Sequence, residues 1–113
     1  MERALHLKPK DAEALREFTQ RVREALGTKV LAMSLFGSKA TGRDTAESDI
    51  DVLVVVEEAS AQVEDRVLDI AFDVNLEHEV YLSPRVIARA TLEDPVWKIT
   101  PFLQAITQEG IPL

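Results

Sequence analysis

The chain contains no cysteine. Thiol catalysis, thiolate metal sites and disulfide cross-links are therefore excluded, and a reducing compartment fits. Histidine is nearly as scarce, with only His6, expected in a frayed terminus, and His78, expected as a solvated cap at a helix–strand junction. No histidine set can complete a zinc site, and Ser38 has no histidine partner in a credible triad arrangement. Bases are outnumbered, 13 against 20 acids, for a formal net charge of −7. A protein that grips nucleic acid through many phosphates carries a basic face, and this composition argues against one. An acidic chain suits divalent cations or a basic partner, or is simply kept soluble. No apolar run reaches the ~18 residues of a membrane-spanning helix. The start, Met1-Glu2-Arg3-Ala4-Leu5-His6, has neither an apolar core nor a cleavage site of the secretory kind. No membrane association is expected, and the expected location is cytoplasmic. The single tryptophan, Trp97, lies between Pro95 and Pro101 and is expected to plug the core at a sheet edge.

What is present suffices for one core. A chain of 113 residues, 46% of them hydrophobic, is expected to form a single domain over residues 1–113. It can bury roughly 65% of the surface its unfolded chain exposes. Periodicity predicts a helix over Asp11 to Leu26, with Leu15, Phe18, Val22 and Leu26 on one face and a Glu17–Arg21 pair on the other. Lys29 to Phe36 reads as a strand with both faces covered. Ile50 to Val56 is almost unbroken in β-branched residues and belongs in the middle of a sheet. A second helix lies within Glu57 to His78, with Val63, Val67, Ile70, Ala71 and Val74 inward. Glu79 to Leu82 alternates as a short strand, and Arg85 to Ala88 prolongs it past Pro84 only at an edge or a bulge. A last helix is expected from Thr100-Pro101 to Glu109, with Phe102, Leu103 and Ile106 inward. The order predicts an α/β (α+β) sandwich, a small mixed sheet packed by helices.

Two short signals carry chemistry. The first apolar strand ends in Gly37-Ser38, and a small, partly basic loop with Lys39, Gly42 and Arg43 follows. A glycine at a strand end lets the backbone turn and approach a ligand with no Cβ in the way. Free amides and a hydroxyl at Ser38 would then make an anion site, with Lys39 and Arg43 adding positive charge. By itself Gly-Ser is more often an ordinary turn, and the Gly-Lys-Ser/Thr ending of a P-loop is missing. The second signal is Asp49-Ile50-Asp51. On a strand, residues two apart project from one face, so both carboxylates face one side while Ile50 enters the core. Such carboxylates repel unless a cation sits between them. Mg²⁺ takes one or two carboxylates plus substrate phosphates. An isolated Asp-x-Asp reads as a solvated turn, but one that opens an apolar strand just after a Gly-Ser loop reads as a metal site.

Gly37-Ser38, Gly42 and Ser48-Asp49-Ile50-Asp51 together resemble the signature of the DNA polymerase β-like nucleotidyltransferases. The chain's size points to their minimal branch. The resemblance is carried by the motifs over Leu35 to Val56 and extends more loosely to the C-terminal half. It implies the polymerase β-like fold and transfer of a nucleoside monophosphate from an NTP, ATP first among them, to a hydroxyl, with two Mg²⁺ ions. It further implies that Gly37 and Ser38, aided by Lys39 and Arg43, hold the NTP phosphates, and that Asp49 and Asp51 hold the metals. The family uses a third carboxylate on a neighbouring strand. Glu79, on the polar face of the alternating Glu79-Val80-Tyr81-Leu82-Ser83, is assigned to it, although Tyr81 stands where several relatives carry the acid. Thr41 is a second departure, since many relatives carry a base there. Members of this branch pair with small helical HEPN-type proteins in toxin–antitoxin systems. The resemblance thus implies such a partner, a protein or tRNA acceptor, and an acceptor side completed by a partner or by self-association into a homo-oligomer. The competing reading is a catalytically weakened binding module or nucleotide sensor with the same fold.

Overall fold

Two long amphipathic helices cover one face of a four-stranded sheet, and each is specified by its own apolar stripe. The computed structural model describes residues 7–37, 49–101, 104 and 110–113. The expectations for His6, Ser38, Lys39, Thr41, Gly42, Arg43 and Ser48, and for Phe102, Leu103 and Ile106, lie outside the described residues.

Helix α1 spans Pro9–Leu26, with proline in its first turn, and buries Ala14, Leu15, Phe18 and Val22. A 3-10 turn over Gly27–Lys29 leads into β1, Val30–Phe36. Strand β2 is Ile50–Val56. Helix α2, Ala61–His78, starts at Ser60, whose Oγ accepts the Val63 N–H at 3.2 Å, which satisfies one of the free amides of the first turn. It buries Val63, Val67, Ile70, Ala71 and Val74. Strand β3, Leu82–Ala88, the short helices α3, Arg89–Glu93, and α4, Pro95–Lys98, and the two-residue β4, Ile111–Pro112, complete the described elements.

The sheet order is β3-β2-β1-β4. Strands β1 and β2 are antiparallel, with Phe36 opposite Asp51, whereas β2 and β3 are parallel, with Asp51 opposite Ser83. β2 is interior, as its unbroken β-branched run requires: Ile50, Val52, Val54 and Val56 face α1 and α2, and Leu53 and Val55 face the other side. On that second side Trp97, with Phe36 and Leu92, packs against Leu53, Val55 and Ile87. The edge position of β3 accommodates Pro84, which has no N–H to donate.

Three readings need correction. β1 is not covered on both faces, because Leu31 is 43% exposed and Ala32 is exposed beside it. The strand expected to begin at Glu79 begins at Leu82. Helix α2 runs on to His78, and Glu79 closes it in the left-handed conformation, φ +54°, donating its N–H to the Asn75 carbonyl. That cap is usually glycine, so alternation counted from Glu79 is lost. Finally, His78 is not a solvated cap. Its Nε2 lies 3.0 Å from Glu17 Oε1, and Arg21 on α1 reaches Glu17 at 3.3 Å and Asp73 on α2 at 3.3 Å.

This network ties α1 to α2. The His78 hydrogen bond, helped by Arg21, holds the Glu17 carboxyl below its ordinary value against a smaller opposing effect of burial. A depressed carboxylate contributes stability above its unfolded pKa and loses it as pH falls through the folded pKa. Glu17→Gln is therefore expected to lower neutral-pH stability by at most ~1 kcal/mol, since the pair is screened by solvent. It should also flatten the acid limb of a stability-against-pH curve measured by urea unfolding.

Asn75 governs the junction between α2 and β3. Its Oδ1 accepts the Leu82 N–H at 2.7 Å and its Nδ2 donates to the Leu82 carbonyl at 3.1 Å. One amide thus serves both backbone groups of the first β3 residue. Removing it leaves partly buried backbone polar groups unpaired, which costs roughly 1–3 kcal/mol. Asn75→Ala is expected to lower the urea midpoint correspondingly, with the m-value unchanged.

Candidate active site

Asp51 is the second residue of β2, and its neighbours follow from the two registers. Phe36 lies opposite on β1 and Ser83 on β3. The residue after Phe36 is Gly37, which has φ +77°. A methyl group built at Gly37 would run into Asp51 Oδ2 and lie 3.3 Å from Asp51 Cγ. The absence of a side chain at Gly37 is what admits the Asp51 carboxylate to this corner, and the positive φ turns the chain away from it.

Asp49 precedes β2 and is exposed, while Asp51 is half-buried. The Ile50 N–H between them donates to the Tyr81 carbonyl at 2.8 Å, which pins the mouth of β2 to the approach to β3. Burial first, then the charge of Asp49, pushes the Asp51 carboxyl up from its ordinary value; Arg85 pulls it down. Arg85 is in register with Leu53, two residues on from Asp51, and so shares its face. The apo corner therefore disfavours the ionised form of Asp51, and a cation held by both acids would reverse that balance. An all-oxygen donor pair at a strand mouth fits Mg²⁺.

Glu79 does not join the two acids. The parallel register, carried back one step from Ile50–Leu82, sets Tyr81 level with Asp49 and Ser83 level with Asp51, so the β3 positions beside the two acids carry no carboxylate. Glu79 lies before the strand, exposed, at the end of α2. Among the described residues, one acid–histidine trio has its ligand atoms within 4.8 Å of one another: Glu17, Glu77 and His78. It already has Arg21 as counter-ion, at 3.3 Å from Glu17 and 3.8 Å from Glu77.

Beside Asp49 a groove of about 370 Å³ runs between α2 and β3, lined by Leu68, Phe72, Asn75, Tyr81 and Ser83 among others. It adjoins a second hollow of about 520 Å³ that reaches Leu76 and Glu79 and shares Phe72, Asn75 and Tyr81 with the first. Sequence reasoning passed over Asn75 and Tyr81 as groove walls. Asn75 sits mid-pattern in a helix, where nothing local signals a clamp, and the exposure of Tyr81 depends on where α2 stops.

Two acids at the mouth of a central strand, with a side-chain-free turn pressed against one of them, suit chemistry that handles phosphates on a cation. On a mixed sheet backed by two helices, this is the arrangement of the polymerase β-like nucleotidyltransferases. Residues 15–112 match the nucleotidyltransferase domain family, and the chain belongs to it. It is 30% identical over 100 residues to a protein of Methanocaldococcus jannaschii named "Putative protein adenylyltransferase MJ0141", covering 88% of this chain and 94% of that one. Among solved structures it shares its fold with a toxin–antitoxin crystallised with AMP-PNP (TM-score 0.54, 15% identity, 84% of this chain and 68% of that one). It also shares it with the D39ED41E mutant of the toxin–antitoxin MntA-HpeT (TM-score 0.54, 14% identity, 83% and 68%). Among the described residues, no helix is long and apolar enough to cross a membrane.

Proposed function

We propose that this nucleotidyltransferase moves an adenylyl group from ATP to a hydroxyl on a protein acceptor, and that the chain acts as a single catalytic domain. The observation that carries the reading is the corner itself: Asp51 held against Gly37 with Asp49 two residues away. The adenylyltransferase name of the Methanocaldococcus relative and the AMP-PNP of the structural neighbour support the adenine nucleotide. In the reaction the acceptor oxygen forms a bond to the α-phosphorus. The bond from that phosphorus to the bridging oxygen breaks, pyrophosphate leaves, and the acceptor proton passes to solvent or to a nearby base. Mg²⁺, two ions in this reading, would be held by Asp49 and Asp51 and would neutralise the phosphates and lower the pKa of the attacking hydroxyl. Gly37 admits the Asp51 carboxylate to the corner, and Gly37, Ser38, Lys39 and Arg43 are assigned to the phosphate oxygens by motif alone. The acceptor is delivered by a partner protein: the structural neighbours are toxin–antitoxins, and the family resemblance makes a HEPN-type protein the candidate.

The test is incubation with Mg²⁺ and ATP labelled at the α-phosphate, with a HEPN-type protein or with tRNA as acceptor. Label on the protein, lost when Mg²⁺ is chelated, is the expected result. Label on tRNA alone would move the acceptor class to RNA. Tight Mg·ATP binding with no label on any acceptor would favour the second reading, a weakened binding module or sensor. One observation favours that second reading: Tyr81, just before β3, and Ser83, on it, lie level with the two acids, and neither is a carboxylate.

A further inference from the structure

Helix α2 has a second apolar stripe that the sheet does not use. Leu68, Phe72 and Leu76 recur every fourth residue and are 52%, 63% and 66% exposed. Tyr81, 71% exposed, extends the stripe across the mouth of β3. Spacing of four residues along a helix keeps these side chains on one face, and the groove and hollow described above run along them. A contiguous exposed apolar surface of this kind marks an interaction site rather than ordinary surface.

The charges around the stripe identify what covers it. Among the described residues, the ionisable side chains other than tyrosine that line the groove and the hollow are Asp49 at one end and Glu79 at the other, both acidic. Along the flank, Asp65 lies three residues before Leu68 and Asp69 three before Phe72, both exposed. A second copy of the same face would set acid against acid, which is unfavourable for a two-fold pairing. We infer that the Leu68–Phe72–Leu76–Tyr81 stripe docks an amphipathic helix of a partner protein whose apolar face is flanked by lysine and arginine. Such a helix lays its apolar face in the groove and meets an acid at each end and along one side. Because Asp49 lines the same groove, a partner seated there lies beside the strand mouth. The docking itself needs neither nucleotide nor metal, so it stands or falls independently of turnover.

The probe is a fluorescently labelled helical peptide of about 18 residues, five turns, with a leucine–phenylalanine stripe and Lys/Arg flanks. Two controls keep its length: the same stripe with Glu flanks, and the Lys/Arg peptide with its order scrambled. Anisotropy titrations are run against the wild type and against Phe72→Ser/Leu76→Ser, whose fold is checked by circular dichroism and thermal midpoint, since both side chains are exposed. The expected result is that the Lys/Arg-flanked peptide binds the wild type at least about tenfold tighter than either control. The double variant loses about the same factor, and added salt weakens binding. Equal binding of the scrambled basic peptide would overturn the proposal, because attraction to net negative charge would then suffice. So would undiminished binding to the double variant. A wild-type dimer in sedimentation that the double variant turns into monomer would overturn it in favour of a second copy.

Discussion

Asp49→Asn/Asp51→Asn is expected to abolish label transfer, by at least about a thousandfold, equivalent to ~4 kcal/mol of transition-state stabilisation. The reason is the loss of the only two carboxylates that the described strand mouth offers to a cation. The more telling result is the opposite sign in stability for Asp51→Asn alone. Burial and Asp49 raise the Asp51 pKa in the folded, metal-free protein. For a carboxylate whose folded pKa lies above its unfolded value, the ionised form opposes folding at pH above the folded pKa. That penalty disappears as pH falls through it. Asparagine has no charge to lose and nearly the same shape, so Asp51→Asn should raise the thermal midpoint of the metal-free protein, an effect that partial solvent screening keeps small. With Mg²⁺ and ATP present the ranking should invert. The wild type gains about 2.7 kcal/mol at ligand a hundredfold above its dissociation constant, and the variant gains little. Thermal melts with and without ligand read both effects. An Asp51→Asn variant that melts below the wild type in the absence of metal would show that the carboxylate is a structural hydrogen-bond acceptor and not a held-back ligand.

Gly37→Ala should damage the same corner from the other side. The added methyl group meets Asp51 Oδ2 and Cγ, and the backbone at φ +77° disfavours any side chain. The left-handed conformation costs roughly 1–2 kcal/mol for a residue with a Cβ. The Asp51 carboxylate, the far end of a side chain, must also swing away. Displacing a reacting group by about an ångström is enough for a loss on the order of a hundredfold in rate. We expect stability to fall by ~1–2 kcal/mol and transfer to fall at least about a hundredfold. A double-mutant cycle separates the two causes. Asp51→Ala in the Gly37→Ala background removes the collision but not the backbone cost, so the stability effects should not add, with a coupling of about 0.5 kcal/mol or more. Strict additivity would mean that the two residues do not touch.

Both variants concern residues whose importance is legible locally. Gly37 ends an apolar strand, Asp49 and Asp51 open another, and two-residue alternation alone puts both acids on one side. The helices were equally legible. The stripes Leu15–Phe18–Val22 and Val63–Val67–Ile70–Val74 face the sheet as their spacing requires. β2 lies inside the sheet because a run with no polar face needs cover on both sides. Glu79 shows where such reasoning stops. Its place on a polar strand face assumed that the strand began there. In the fold α2 keeps its hydrogen bonding to His78, Glu79 takes the left-handed cap, and Asn75 clamps Leu82 as the first strand residue. Those choices depend on contacts between α2 and β3, which no periodicity contains.

The corner of Gly37, Asp49 and Asp51 was thus determined as a pair of motifs by the sequence, together with the helix faces and the central strand, because these depend on periods of two and of nearly four that are properties of the backbone itself. Three things were decided only by the tertiary structure. The antiparallel register of β1 on β2 presses Gly37 onto Asp51. The parallel register of β2 on β3 brings Tyr81 and Ser83, not Glu79, beside the acids. The packing of α2 leaves Leu68, Phe72 and Leu76 uncovered. Each is a relation between segments distant along the chain, set by which apolar faces are buried together, and a local pattern cannot specify its own partner.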